Sequence, residues 1–80
     1  MDSELNTDNK VVGAKQVKGM LARDKVRVVY IAEDAEGRVI EDIVKISDHK
    51  QIRIIYVESM RKLGEACGID VNAASAALLK

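Results

Sequence analysis

Proline, phenylalanine and tryptophan are absent from this 80-residue chain, and Tyr30 and Tyr56 are its only aromatic residues. A core without large rings has to be built from Val, Ile, Leu and Ala. The same lack argues against modules that stack bases on an aromatic sheet face. Cys67 is the only cysteine and His49 the only histidine, which excludes an internal disulfide and a zinc cage of the usual ligands. No metal and no cofactor are expected. No apolar run approaches the roughly 20 residues that cross a bilayer, so a soluble chain with no membrane partner is expected. Residues 1–8 carry three acids and no base, whereas a secretory signal opens basic and then turns apolar. That opening and the free thiol suit a reducing cytoplasm.

What is present is enough for one domain. At 48% hydrophobic residues the chain can close a single core, and its length leaves no room for a second. Residues 1–9 read as a flexible acidic tail and residues 10–80 as the domain. Net charge is zero, but it is unevenly placed. Lys10, Lys15, Lys18, Arg23, Lys25 and Arg27 face only Asp24 between residues 9 and 27, and the next twenty or so residues are predominantly acidic. A segment of that kind attracts a polyanion whatever the total charge, because screening confines such forces to about 8–10 Å. A solvated helix face explains the same charges.

Hydrophobic spacing separates helices from strands. Val17, Met20 and Leu21 form one stripe of a helix from about Lys15 to Arg23. Val26–Ala32 is almost continuously apolar and β-branched, as a strand covered on both faces should be. Asp34 is placed to cap a second helix whose Val39, Ile40, Ile43, Val44 and Ile46 turn inward, ending in the polar stretch 47–50. Ile52–Val57 repeats the buried-strand pattern, and Ser59 caps a third helix carrying Met60, Leu63 and Cys67. Gly68 stands where a left-handed residue closes that helix, with Ile69 covering the last turn. Strands alternating with helices predict an α/β fold, an α-β-α sandwich. Residues 73–79 fit a helix by alanine propensity and a strand by alternation.

Catalytic chemistry finds little support in these residues. His49 falls in a polar turn and Cys67 on an apolar stripe, where a small buried thiol is the simpler reading. Glu33 with Asp34, and Glu41 with Asp42, are sequence neighbours that diverge on a helix instead of converging on a substrate. No glycine-rich phosphate loop or metal-ligand spacing occurs. Two stretches remain. In Gly13-Ala14-Lys15-Gln16-Val17-Lys18 a glycine opens a helix whose first turn offers free N–H groups and long donor side chains, a phosphate-facing arrangement. In Leu63–Val71 a helix stop leads into a loop where Ile69 and Val71 flank Asp70. Each stretch also reads as an ordinary helix entry or turn.

Together, Gly-Ala-Lys-Gln at 13–16, Ala-Glu-Asp-Ala at 32–35 and Val-Glu-Ser-Met-Arg-Lys-Leu-Gly-Glu-Ala-Cys-Gly-Ile-Asp-Val at 57–71 resemble the kink-turn RNA-binding family of ribosomal protein L-seven-Ae, in its short bacterial branch. The likeness runs from about residue 10 to 79. It implies a three-layer α-β-α sandwich around a four-stranded mixed sheet, with residues 73–79 as a strand. It also implies a non-catalytic protein, expected as a monomer, that binds kink-turns, bent RNA elements with sheared G·A pairs beside a three-nucleotide bulge. The target would be ribosomal RNA, a riboswitch or another structured RNA. By the resemblance, Gly13 and Ala14 would let backbone approach the RNA, and Lys15 and Gln16 would reach guanine edges. Ile69, Asp70 and Val71 would pack on a flipped-out bulge base. Archaeal and eukaryotic members carry Asn-Glu in place of Lys15-Gln16. The family lysine six residues after the motif glycine is here Gly19, preceded by Lys18, which a one-residue step turns about 100° toward phosphate. The alternative is a protein-interaction or regulatory domain of the same fold without RNA affinity.

Overall fold

The computed structural model describes residues 5–80. The elements run β1 (Lys10–Val12), α1 (Ala14–Ala22), β2 (Val26–Ala32), α2 (Gly37–His49), β3 (Arg53–Val57), α3 (Met60–Ala66) and β4 (Ser75–Leu79). The strands form one mixed sheet in the order β1-β4-β2-β3. β4 pairs antiparallel with β1 and β2, and β3 lies parallel to β2. Val17 and Leu21 of α1 and Ile43 of α2 pack with Val29, Ile31 and Ala77 on one face. Leu63 of α3 and Cys67 pack with Val28, Tyr30 and Ala76 on the other. The result is the expected α-β-α sandwich around a four-stranded mixed sheet.

β2 is buried throughout apart from Arg27. Regular alternation would put Val26 and Val28 on the same face, yet they join opposite core layers. A register irregularity against β4 between these two residues accounts for the switch. Residues 75–79 form a strand in spite of their alanines. Helix propensity differs by at most about 0.7 kcal/mol among ordinary residues, and pairing on both sides outweighs it. Alanine also suits the place, because Ala76 lies opposite the fully buried Tyr30, and a larger side chain would compete with that ring for space.

β3 departs from the expectation of a strand covered on both faces. It is a sheet edge, with Arg53 exposed and Tyr56 53% exposed. Both faces still meet the core, Ile54 on one side and Ile55 and Val57 on the other, but among the described residues only β2 pairs with this strand, and a run of apolar residues does not distinguish one neighbour from two.

The second helix is also corrected. It begins at Gly37 after Glu36, with no side-chain cap, and Asp34 instead accepts a 2.7 Å hydrogen bond from the Met60 N–H at the start of α3. With the helix phase set from Gly37, Val39 is 40% exposed and the inward stripe is Ile40, Ile43, Val44, Ile46 and Ser47. Ser47 is fully buried and its Oγ has no hydrogen-bond partner. Ser47→Ala is therefore expected to raise stability by about 1 kcal/mol, because the unpaired hydroxyl loses its hydration and Ala favours helix. Chemical denaturation of the two proteins measures it directly.

Each helix ends the same way. The N–H groups of Lys25, Ile52 and Ile69 bond the carbonyls of Met20, Ser47 and Gly64, five residues back, at 2.8–3.1 Å. A second bond sits inside each, from Asp24, Gln51 and Gly68 to Leu21, Asp48 and Glu65. Gly68 fills its expected left-handed position at φ 78°, whereas Asp24 and Gln51 adopt φ of 57° and 59° without glycine. Lys50 Nζ lies 2.6 Å from Asp24 Oδ1, and this bond holds the Asp24 carboxyl below its usual range.

Within residues 1–9, expected as a flexible acidic tail, two side chains meet the domain. Residues 1–4 lie outside the described residues. Leu5 is fully buried beside Tyr30 and Leu63, and the Asn9 side chain donates to the Leu79 carbonyl at 2.9 Å. A single leucine in an acidic stretch has no periodicity to announce it, but the α3 side of the sheet has one helix and room for this plug.

Candidate functional site

The C-terminal ends of β1, β2 and β3 and the start of β4 share one end of the sheet. Gly13 N–H donates to Ser75 O at 2.8 Å, Ala32 N–H to Ala74 O at 2.9 Å, and Glu33 N–H to Val57 O at 2.8 Å. All three helices begin at this end. Gly13 is thereby linked to β4 at Ser75, four residues beyond Val71 in the chain, while the loop 69–71 itself lies along α3 against Gly64.

The first stretch is built around Gly13, the residue before α1, at φ 107° and ψ 141°. That backbone conformation is costly for an L side chain, and a β-carbon there would lie 2.8 Å from Gln16 Oε1. Val17 and Leu21 are fully buried and clamp α1 to the sheet, while Ala14 packs at the core edge. Lys15 and Gln16 are consequently left exposed. No acid occupies the first turn of α1 and no side chain caps it, so the helix dipole and Lys15 reinforce one positive field. Lys15, Gln16, Gly19, Met20 and Arg23 line a shallow depression of about 320 Å³. Lys18 turns away from it, its Nζ 3.4 Å from Asp42 Oδ2 on α2.

The second stretch is a loop held on an anchored base. Ile69 is half-buried against the α3 side of the core, whereas Asp70 is exposed and Val71 is 66% exposed. Ala73 N–H donates to Met60 O at 3.0 Å, and Ser59 Oγ accepts from Lys62 N–H at 3.1 Å. Asp34, bonded to the Met60 N–H, ties the loop after β2 to the same point. Gly64 lies so close under the loop that a β-carbon on it would be 2.1 Å from Val71 O. Arg61 and Glu65 border a hollow of about 250 Å³ with residues 69–72.

Sequence reasoning singled out both stretches but missed Gly64 as the seat of the loop and Asp34 as a tie between loops. A glycine inside a helical pattern was the available signal for the first. The basic segment, continuous in sequence, divides in space. Lys15 and Lys18 lie near the assembled end, while Lys25 and Arg27 lie at the opposite end of β2.

Cys67 and His49 do not meet. Cys67 packs with the α3 side of the core, and burial pushes its thiol pKa up, away from the reactive thiolate. His49 ends α2 on the other face. Among the described residues, no group of His, Cys, Asp and Glu side chains is arranged to hold a metal ion, and no helix is long and apolar enough to cross a membrane.

Residues 2–80 match the model of the ribosomal protein L7Ae/L30e/S12e/Gadd45 family. An RNA-binding protein of Halalkalibacterium halodurans is 53% identical over 70 residues, covering 88% of this chain and 85% of that protein. One from Caldanaerobacter subterraneus subsp. tengcongensis is 48% identical over 68 residues, covering 85% and 83%. Among solved structures, the Giardia lamblia 15.5kD RNA binding protein has a similar fold, with a TM-score of 0.85 at 24% identity. That likeness takes in 98% of this chain and 64% of the Giardia chain, so this chain spans less than two thirds of that length.

Proposed function

The chain belongs to the ribosomal protein L7Ae/L30e/S12e/Gadd45 family, and on that premise we propose that it binds structured RNA at a kink-turn, holding the bent form without catalysis. The observation that carries this reading is the Gly13–Ser75 bond, which links the cationic start of α1 to the strand that follows the partly apolar loop 69–71. The Lys15 amine is suited to donate to guanine O6 and N7, and the Gln16 amide matches a mixed donor and acceptor edge. Gly13 and Ala14 keep the approach free of bulk. Ile69 and Val71 offer apolar contact to an unpaired base, and Asp70 N–H and carboxylate groups lie between them. Lys18, already paired with Asp42, serves phosphate. Contacts available only to the kinked conformer shift the RNA population toward it. The two relatives named RNA-binding proteins support this reading. The setting proposed for a monomer of this kind is the cytoplasm, on ribosomal RNA or a riboswitch.

The test is a titration at physiological salt against a kink-turn RNA and against the same RNA with its sheared G·A pairs converted to Watson-Crick pairs. A loss of about tenfold or more on conversion, about 1.4 kcal/mol or above, is the expected result. Lys15, Lys18, Arg38, Arg61 and Lys62 lie near the starts of the three helices, and if about three of them meet phosphates the logarithmic salt slope should be about −2 to −3. Equal and weak binding to both RNAs overturns the reading.

A further inference from the structure

Gly19 has no reason inside the protein. Gly13 is held by its positive φ, and Gly64 by the Val71 carbonyl. Gly19 lies in mid-helix, and a β-carbon on it would meet nothing within 4 Å. Neither backbone conformation nor packing calls for glycine there, and the residue weakens α1 relative to alanine. What the missing side chain does provide is bare helix surface at the centre of the depression outside α1.

The walls of that depression have a definite chemistry. Lys15 and Arg23 stand one turn before and one turn after Gly19, on its face of the helix. Neither takes part in an ion pair among the described residues. Met20 supplies a polarizable thioether, and Gln16 an amide that donates and accepts. A guanidinium stacks on a flat π face. The cations stand at the two rims and position 19 carries none, so the bare floor between them suits a flat face. A planar ligand with apolar faces and a polar edge fits each wall.

We propose that the notch at Gly19 seats one unpaired nucleobase of the bound RNA, lying over bare helix between Lys15 and Arg23. The proposal rests on the RNA-binding reading above and extends it. Gly19 lies about 6 Å along the helix axis from Lys15, so the seated base belongs to a nucleotide near those whose edges Lys15 reads. The notch thus adds a requirement for an unpaired nucleotide there, a specificity that a lysine at position 19 would replace with a phosphate contact.

The experiment is a double-mutant cycle between Gly19→Leu and kink-turn RNAs made abasic at each unpaired nucleotide in turn, with helix content and thermal melting followed in parallel. Leu fills the notch without adding charge and strengthens the helix. Gly19→Leu is expected to melt no lower than wild type yet bind about tenfold more weakly or worse, the scale of one lost base contact. At one unpaired position, the abasic RNA should bind the variant and wild type equally. Unchanged affinity of Gly19→Leu overturns the proposal, as do losses that multiply at every position. Tighter binding by Gly19→Lys overturns it in favour of phosphate. Wild-type binding that needs Lys15 but tolerates Gly19→Leu overturns the notch alone, while a wild-type protein that binds no kink-turn RNA overturns both readings.

Discussion

Replacing Lys15 and Gln16 together by alanine is expected to weaken kink-turn binding by about 100-fold or more, because each well-made base-edge contact is worth about 1–3 kcal/mol. Both side chains are exposed, while their neighbour Val17 anchors α1 in the core. The double variant should therefore keep its melting temperature, with stability within about 0.5 kcal/mol of wild type. Calorimetric titration with the kink-turn RNA, paired with a thermal melt, separates lost contacts from lost structure. The discriminating feature is where the loss falls. If these residues read guanine edges, the variant binds the RNA with converted G·A pairs as wild type does, and the preference between the two RNAs vanishes. If they act only as positive charge, affinity falls for both RNAs alike and the salt slope flattens by about 1 for the single lysine removed. The second pattern would leave a basic surface in place of a recognition site.

Gly64→Ala is expected to cost stability although it puts a better helix former into α3. Alanine in a helix gains about 1 kcal/mol over glycine. Here the new carbon would lie 2.1 Å from Val71 O and 3.2 Å from the Val71 carbonyl carbon. Those are backbone atoms, and the loop that owns them is tied down at Ile69 and Ala73. Overpacking of a fixed contact costs about 1–3 kcal/mol and sometimes more, so the collision should win. The expected net is a loss of up to about 2 kcal/mol, which lowers the melting temperature by up to about 15 °C in a domain of this size. Gly19→Ala makes the control, since the same exchange in open space gains the helix term without a clash. RNA binding should suffer in Gly64→Ala through Ile69 and Val71 even at temperatures where the protein stays folded. A rise in melting temperature would show that the loop moves freely and that its position is not set from beneath.

Features decided within a few residues stand where expected, whereas those decided by tertiary packing do not. The β2 run, the Ser59 cap and the Gly68 stop are each decided within a few residues, and each stands where expected. Asp34 is different, because the sequence near it describes a helix cap and the structure spends its carboxylate on Met60, 26 residues away. β3 carries the same apolar run as β2 yet lies at the edge, since the pattern records hydrophobicity and not the number of neighbours. For residues 73–79, where β4 spans Ser75–Leu79, alternation and family resemblance both point to a strand against alanine propensity, and the need for small side chains opposite Tyr30 belongs to another strand. Of the candidate site, both stretches could be found by reading their glycines. The link of the first to β4 depends on that strand entering between β1 and β2, and the pairing of Lys18 with Asp42 depends on how two helices pack.

The place of β4 also bears on time. It is the last strand in chain order, yet it lies between the first two, and among the described residues β1 has no other strand to pair with. As the chain is made from its N-terminus, residues 10–74 emerge with the middle of the sheet missing and β2 paired at most along one side. Folding that depends on such distant partners is slow compared with local helix formation. Until residues 75–79 arrive, Val26–Ala32 presents an apolar strand with an open edge, the kind of segment that holding chaperones shield.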